Sequence, residues 1–265
     1  MSLSMYNIFD FYFKDLADAR VQEWPLMSNP LKIMGIIATY LYGVYVFLPS
    51  YMTEKKPYSL KKVIVIYNIF QVGACTLLIY GIATSGWTTH YKLVGCQPVD
   101  YSDSQMAVQM AAFMWWNMIL KLIEFIETVF FVLRKKFNQV SFLHVYHHVS
   151  TLIMAWLVCK YFPGGMLSFT VMLNSFIHIL MYTYYLLSSF GPKVQKKLET
   201  IKPKLTMLQL VQLVILFCQN MQLLSPTCNI NNIVGYIFLP NVIINIGFFI
   251  KFYINNYSKK NNKEK

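Results

Sequence analysis

The stretch QVSFLHVYHHVS, residues 139–150, places three histidines within five positions: His144, His147 and His148. Apolar chain flanks it, from Phe130 to Leu133 before and from Leu152 to Val158 after. Titratable groups in so apolar a setting raise the question of what solvent surrounds them, and composition answers it. Of 265 residues, 56 % are hydrophobic and 17 % aromatic, only 13 % are charged, and the mean hydropathy is +0.44. Soluble domains carry about 25 % charged residues. Several runs also exceed the roughly 18 to 20 apolar residues that cross a bilayer. The chain therefore reads as an all-α polytopic membrane protein forming a single domain over 1–265. Residues 1–28 lack a basic start followed by an apolar run, so no removable signal peptide is expected.

Working outward from the histidines, seven spans are expected over 31–52, 61–83, 108–133, 138–160, 165–187, 205–224 and 232–254. Charge in the connecting segments tests that count. Alternate segments sum to +14 on one side and −2 on the other. Basic loops stay in the cytosol, so residues 1–30 are expected in the lumen and the basic tail 255–265 in the cytosol. The strong positive balance is then a cytosolic rim rather than a nucleic-acid surface. Cysteine placement follows the same topology. Cys75, Cys159 and Cys218 fall within spans and are expected to be buried, whereas Cys96 and Cys228 fall in two luminal loops. That compartment is oxidising, so these two are expected to form a disulfide. The sequon Asn256-Tyr257-Ser258 lies on the cytosolic side and is expected to stay unmodified.

Ionisable residues inside spans are costly and usually face a bundle interior or a water-filled cavity. Counted by helical rise, the three histidines lie roughly 9 to 15 Å from the cytosolic end of their span. Glu124 and Glu127 lie at roughly 9 to 14 Å, His178 at roughly 14 Å, and Gln209 and Gln212 at roughly 6 to 11 Å. One cavity open to the cytosol accounts for this common level. His144, His147 and His148 share one helical face, at i, i+3 and i+4. Lys121, Glu124 and Thr128 share another, with Glu127 one step round. Each set also has a plain packing reading: an ion-pair network for the carboxylates and Lys121, interhelical hydrogen bonding for the glutamines, and ring packing for the stripe His178, Met181, Tyr182 and Tyr185. Three imidazoles in register serve packing poorly.

Two chemistries fit such a cluster. A histidine box suggests a metal-dependent membrane lipid oxidoreductase, a desaturase or hydroxylase. Two iron sites would need about eight histidines, but the chain has five, and His90 lies in the opposite loop. Four histidines with Glu124 and Glu127 would still suffice for one metal. The metal-free alternative uses imidazole directly as base or nucleophile, and it is preferred here, with no metal and no cofactor expected.

Four motifs then stand in one order: KLIEFIET at 121–128, HVYHH at 144–148, HILMYTYY at 178–185 and TMLQLVQ at 206–212. In them the chain resembles the very-long-chain fatty acid elongase family over roughly residues 25–255. Glu127 stands where the first motif of that family has aspartate. The resemblance implies seven helices, six of them ringed around a substrate tunnel open to the cytosol. It also implies residence in the endoplasmic reticulum membrane and a luminal loop-to-loop disulfide. Its own support in the tail, Lys263 near the end, is a weak retention signal. The implied reaction is a decarboxylative Claisen condensation of an acyl-CoA with malonyl-CoA, which gives a 3-ketoacyl-CoA two carbons longer. His147 becomes the candidate nucleophile, and His178 assists decarboxylation or the enolate. His144 and His148 orient or shuttle protons, and Glu124 and Glu127 fix imidazole tautomers. Asn174 and Gln209 are candidate oxyanion donors, while Lys121, Tyr182 and Gln212 complete the substrate-binding set. Arg134, Lys135, Lys136, Lys202 and Lys204 are placed to meet CoA phosphates. Further expected partners are the lipid bilayer, the ketoreductase, dehydratase and enoyl reductase of the elongation cycle, and a second copy as a homodimer. No nucleic-acid partner is expected.

Rival classes share part of this pattern. A seven-span receptor has the topology but no need of this polar layer, and neither Asp-Arg-Tyr after the third span nor Asn-Pro-x-x-Tyr in the seventh is present. A transporter would use the layer as a proton path, but no inverted repeat or broken helix accompanies it.

Overall fold

A computed structural model describes Ile8 and Asp10–Ser258. The basic tail from 259 onward, with Lys263, lies outside the described residues. Among those described, all regular structure is helical, with no strand. Six helices are long and apolar enough to cross a membrane: α1 (Pro30–Met52), α2 (Lys61–Trp87), α4 (Phe142–Tyr161), α5 (Leu167–Ser188), α7 (Ile201–Leu224) and α8 (Ile233–Tyr257). A short helix, α6 (Pro192–Leu198), links α5 to α7. Helix α3 (Gln105–Leu133) has 29 residues and is about 43 Å long. It is long enough to cross, but Lys121, Glu124 and Glu127 interrupt its apolar run. The protein is thus a multi-pass helical membrane protein. The helix ends follow local rules. Asn29 caps α1 by accepting from Leu31 N at 2.8 Å, with Pro30 in the first turn. Ser104 caps α3 and Ser141 caps α4 in the same way.

The chain folds into two compact units. The first comprises the segments up to Ser59, Gly81–Tyr91 and Val99–Ser168. In it α1, α3 and α4 enclose an apolar core that includes Ile33, Val44, Met118, Phe125, Leu152 and Trp156. One end of this unit is acidic. There the segment before α1 folds over the end of α4: Asp18 N donates to Lys160 O at 2.9 Å, and the buried Lys160 Nζ donates to Met27 O at 2.7 Å. Trp115 and Trp156 donate their indole N–H groups to the carbonyls of Pro25 and Leu26, each at 3.0 Å. Arg20 pairs with Asp18 at 2.6 Å and reaches Ser102 O in the next loop. The opposite end is basic. Tyr58 N donates to Leu133 O, and Lys135 Nζ to Thr53 O, which joins two loops that hold Lys55, Lys56 and Arg134–Lys136. Segments assigned by charge to one side of the membrane therefore meet at one end of this unit.

The second unit comprises Leu60–Tyr80, Lys92–Pro98 and the chain from Phe169 onward, with α5 to α8. Here Cys96 and Cys228 form the expected disulfide, 132 residues apart in sequence. Beside it Gly95 N donates to Gln222 Oε1 at 2.6 Å. Helices α7 and α8 approach closely at Gly235, where a side chain would meet Leu224 and Leu223. Pro240 lies inside α8 without ending it, as membrane helices tolerate. Cys75 and Cys159 are buried as expected, but Cys218 is exposed. It sits on the outer stripe of α7 with Val211, Val214 and Ile215, and a position within a span does not by itself mean burial when lipid is the neighbour.

Candidate active site

The histidine cluster is built by two antiparallel helices of the first unit. Helix α4 starts at Phe142, four residues later than the sequence suggested, because Ser141 Oγ caps it by accepting from His144 N at 3.2 Å. The three histidines therefore occupy its first two turns, with His148 about 9 Å along the axis from Phe142. Helix α3 runs alongside and ends at Leu133, next to the same basic loop. Its polar face, Lys121, Glu124, Glu127 and Thr128, stands opposite the imidazoles.

Glu124 is buried, and its two oxygens accept from Lys121 Nζ at 2.9 and 3.2 Å. This is an i, i+3 ion pair inside the protein. His148, also buried, lies between two carboxylates: Nδ1 is 3.9 Å from Glu124 and Nε2 is 3.8 Å from Glu127. Both distances are beyond hydrogen-bonding range, and catalytic contacts often tighten only once substrate is bound. The ring of His148 is 4.3 Å from that of His144 and 5.8 Å, edge to face, from that of the half-buried His147. His144 is held from its other side, where Nε2 meets Thr128 Oγ1 at 2.9 Å. Thr128 Oγ1 in turn meets Tyr40 Oη of α1 at 2.8 Å, and the Tyr40 ring stacks on Phe125 at 3.9 Å. Among the described residues, no three His, Cys, Asp or Glu side chains converge as metal ligands.

The structure thus gathers Lys121, Glu124, Glu127, His144, His147 and His148 in one cluster. Arg134 and Lys135, half-buried, and the exposed Lys136 stand at the basic end of the same unit. The other candidates belong to the second unit. His178 and Tyr182 are buried on α5, with ring centroids 5.6 Å apart, and Tyr182 packs edge-on against Tyr67 at 6.0 Å. Asn174 is half-buried one turn earlier. On α7, Gln212 is buried and Gln209 Nε2 lies 3.6 Å from Met181 Sδ. Lys202 and Lys204 are exposed in the first turn of that helix. Tyr40 was not among the residues singled out. It is one of four tyrosines in its span, and its only sequence signal is a place on the buried stripe Ile33, Tyr40 and Val44, at i, i+7 and i+11.

A multi-pass helical membrane protein with an imidazole cluster beside a buried lysine–glutamate ion pair, near a basic edge, is a narrow class. Comparison with known proteins places the chain within it. The ELO family model, described as the GNS1/SUR4 family, matches residues 25–265. A very long chain fatty acid elongase of Aedes aegypti is 39 % identical over 254 residues, covering 96 % of this chain and 70 % of its own. Very long chain fatty acid elongase 7 of Drosophila melanogaster is 39 % identical, over 94 % of this chain and 75 % of its own. Very long chain fatty acid elongase 4 of Homo sapiens is 37 % identical, over 98 % and 82 %. The chain belongs to the ELO family.

Proposed function

We propose that this protein elongates very-long-chain fatty acids in the endoplasmic reticulum membrane, as the condensing enzyme. It joins an acyl-CoA to malonyl-CoA and releases CoA and carbon dioxide. The observation that carries this reading is the cluster of three imidazoles, two carboxylates and one lysine, with Lys121, Glu124 and His148 buried, at the basic end of the first unit, in a chain of this family. The lumenal N-terminus, the seventh span through α3, the tunnel and the single-domain organisation over 1–265 are part of the same proposal. Family membership and the opposed charges at the two ends of the first unit support them.

The steps balance without a cofactor or metal. A ring nitrogen of His147 attacks the acyl thioester, the carbon–sulfur bond breaks, and the imidazole proton leaves with the CoA thiolate. Malonyl-CoA then loses carbon dioxide, and its enolate carbon attacks the acyl carbonyl. The carbon–nitrogen bond breaks, and the departing imidazolate takes up one proton from solvent, passed on by His144 or His148, which restores neutral imidazole. His178 assists the second step, with Asn174 and Gln209 as donors to the developing oxyanions. His144 and His148 hold or move the proton, and Glu124 and Glu127 keep the rings in place. CoA phosphates rest on Arg134, Lys135, Lys136, Lys202 and Lys204, and Lys121, Tyr182 and Gln212 help seat the substrates. Reductase and dehydratase partners, and a second copy, would act downstream of or beside this step.

Incubating membranes that contain the protein with acyl-CoA and labelled malonyl-CoA tests the reading. Incorporation is expected, and it should fall at least about 100-fold in His147→Ala. Full incorporation in that variant would remove the acyl-imidazole mechanism, and no incorporation by the wild type, with iron in the purified protein, would favour the oxidoreductase-like alternative.

A further inference from the structure

Helix α1 reaches the imidazole cluster through one hydroxyl, that of Tyr40. Tyr40 is 8 % exposed and Thr128 is wholly buried. The line Tyr40 Oη, Thr128 Oγ1, His144 Nε2 is continuous, at 2.8 and 2.9 Å. Each hydroxyl carries one proton and two acceptor lone pairs, so the line has three polarities. In the first, Tyr40 donates to Thr128 and Thr128 donates to Nε2. In the second, Nε2–H donates to Thr128 and Thr128 donates to the phenol oxygen; in the third, Tyr40 and Nε2–H both donate to Thr128. The second leaves the Tyr40 O–H without an acceptor, because Thr128 is its only hydrogen-bond partner among the described residues. The third leaves the buried Thr128 O–H without one, because Tyr40 and His144 are its side-chain partners there. A buried donor with no acceptor is costly. The first polarity strands no proton.

We propose that Tyr40 is a positioning residue which, through Thr128, holds His144 as the Nδ1–H tautomer with its Nε2 lone pair occupied. His144 then has one donor to offer, Nδ1–H, and its nearest imidazole neighbour is His148, 4.3 Å away between ring centroids. The inference rests on the proposed catalytic use of the histidines, but the tautomer itself does not.

The test uses the full chain in lipid nanodiscs, labelled with 15N-histidine, with the His144 signals assigned by their loss in His144→Asn. Nitrogen shifts should show Nε2 unprotonated and Nδ1 protonated in the wild type. Tyr40→Phe keeps the ring stacked on Phe125 and should give a tautomer mixture. Its kcat for condensation should fall about 3- to 10-fold, the worth of one buried hydrogen bond, with KM for malonyl-CoA unchanged. Thr128→Val should match it, Thr128→Ser should restore both readouts, and Tyr40→Phe with Thr128→Val should be no worse than Thr128→Val alone. A protonated Nε2 in the wild type, or an unchanged spectrum in Tyr40→Phe, overturns the proposal. Absence of condensation in the wild type would instead overturn the functional reading and leave the nitrogen measurement to judge the tautomer.

Discussion

Lys121 and Glu124 form a pair whose value lies mainly in being complete. Their side chains are 7 % and 1 % exposed, so removing one partner strands a charge. Lys121→Ala should destabilise the purified protein by about 3 to 5 kcal/mol, whereas Lys121→Met with Glu124→Leu should cost much less. Thermal unfolding of the two variants measures the difference, and additive losses would contradict it. The same pair shows what a sequence reveals of such a site. Lys121, Glu124, Glu127 and the three histidines were legible because ionisable groups stand out in an apolar run and fall at helical spacing. Tyr40 was not, because a tyrosine among Ile, Leu and Val looks like packing until a partner from a helix some 90 positions away is seen. The depth of the histidines was overestimated for a local reason: the Ser141 cap starts α4 later than hydropathy alone implies.

Helices α3 and α4 meet at a turn that governs where the basic residues point. Arg134 ends α3, and Lys135 N and Lys136 N return to the carbonyls of Val132 and Phe131 at 2.9 and 2.8 Å. This closing pattern places Lys135 at φ 55°, a conformation that favours glycine. Lys135→Gly should therefore raise stability by up to about 1 kcal/mol, and Lys135→Val should lower it. Unfolding midpoints of both, against wild type, check the sign. Six of the expected spans were readable from hydropathy, since six helices long and apolar enough to cross fall where those runs do, and α3 lies over the remaining run. The turn was not, because a run of Arg and Lys carries no mark of left-handed backbone and reads only as topology-setting charge.

Across the whole chain, one covalent link ties the loop before α3 to the loop before α8. The Cys96–Cys228 bridge closes 132 residues, for which loop entropy gives an upper bound of about 5 kcal/mol. Helices already held in a bilayer restrict the unfolded chain, so the measured loss should be smaller. Reductant should lower the melting temperature of the wild type and leave Cys96→Ser with Cys228→Ser unaffected. An equal fall in both would show that the bridge does not stabilise the fold. This pairing was legible because topology by charge placed two cysteines, and only two, in oxidising loops. At the acidic end, the described segment before α1 is fastened by indole N–H groups at Pro25 and Leu26 rather than by a disulfide. Four of the five tryptophans, Trp24, Trp115, Trp116 and Trp156, gather there, and two of them lose an acceptor if the segment lifts. The intrinsic fluorescence of this protein is therefore mainly an optical gauge of that attachment, readable without a label.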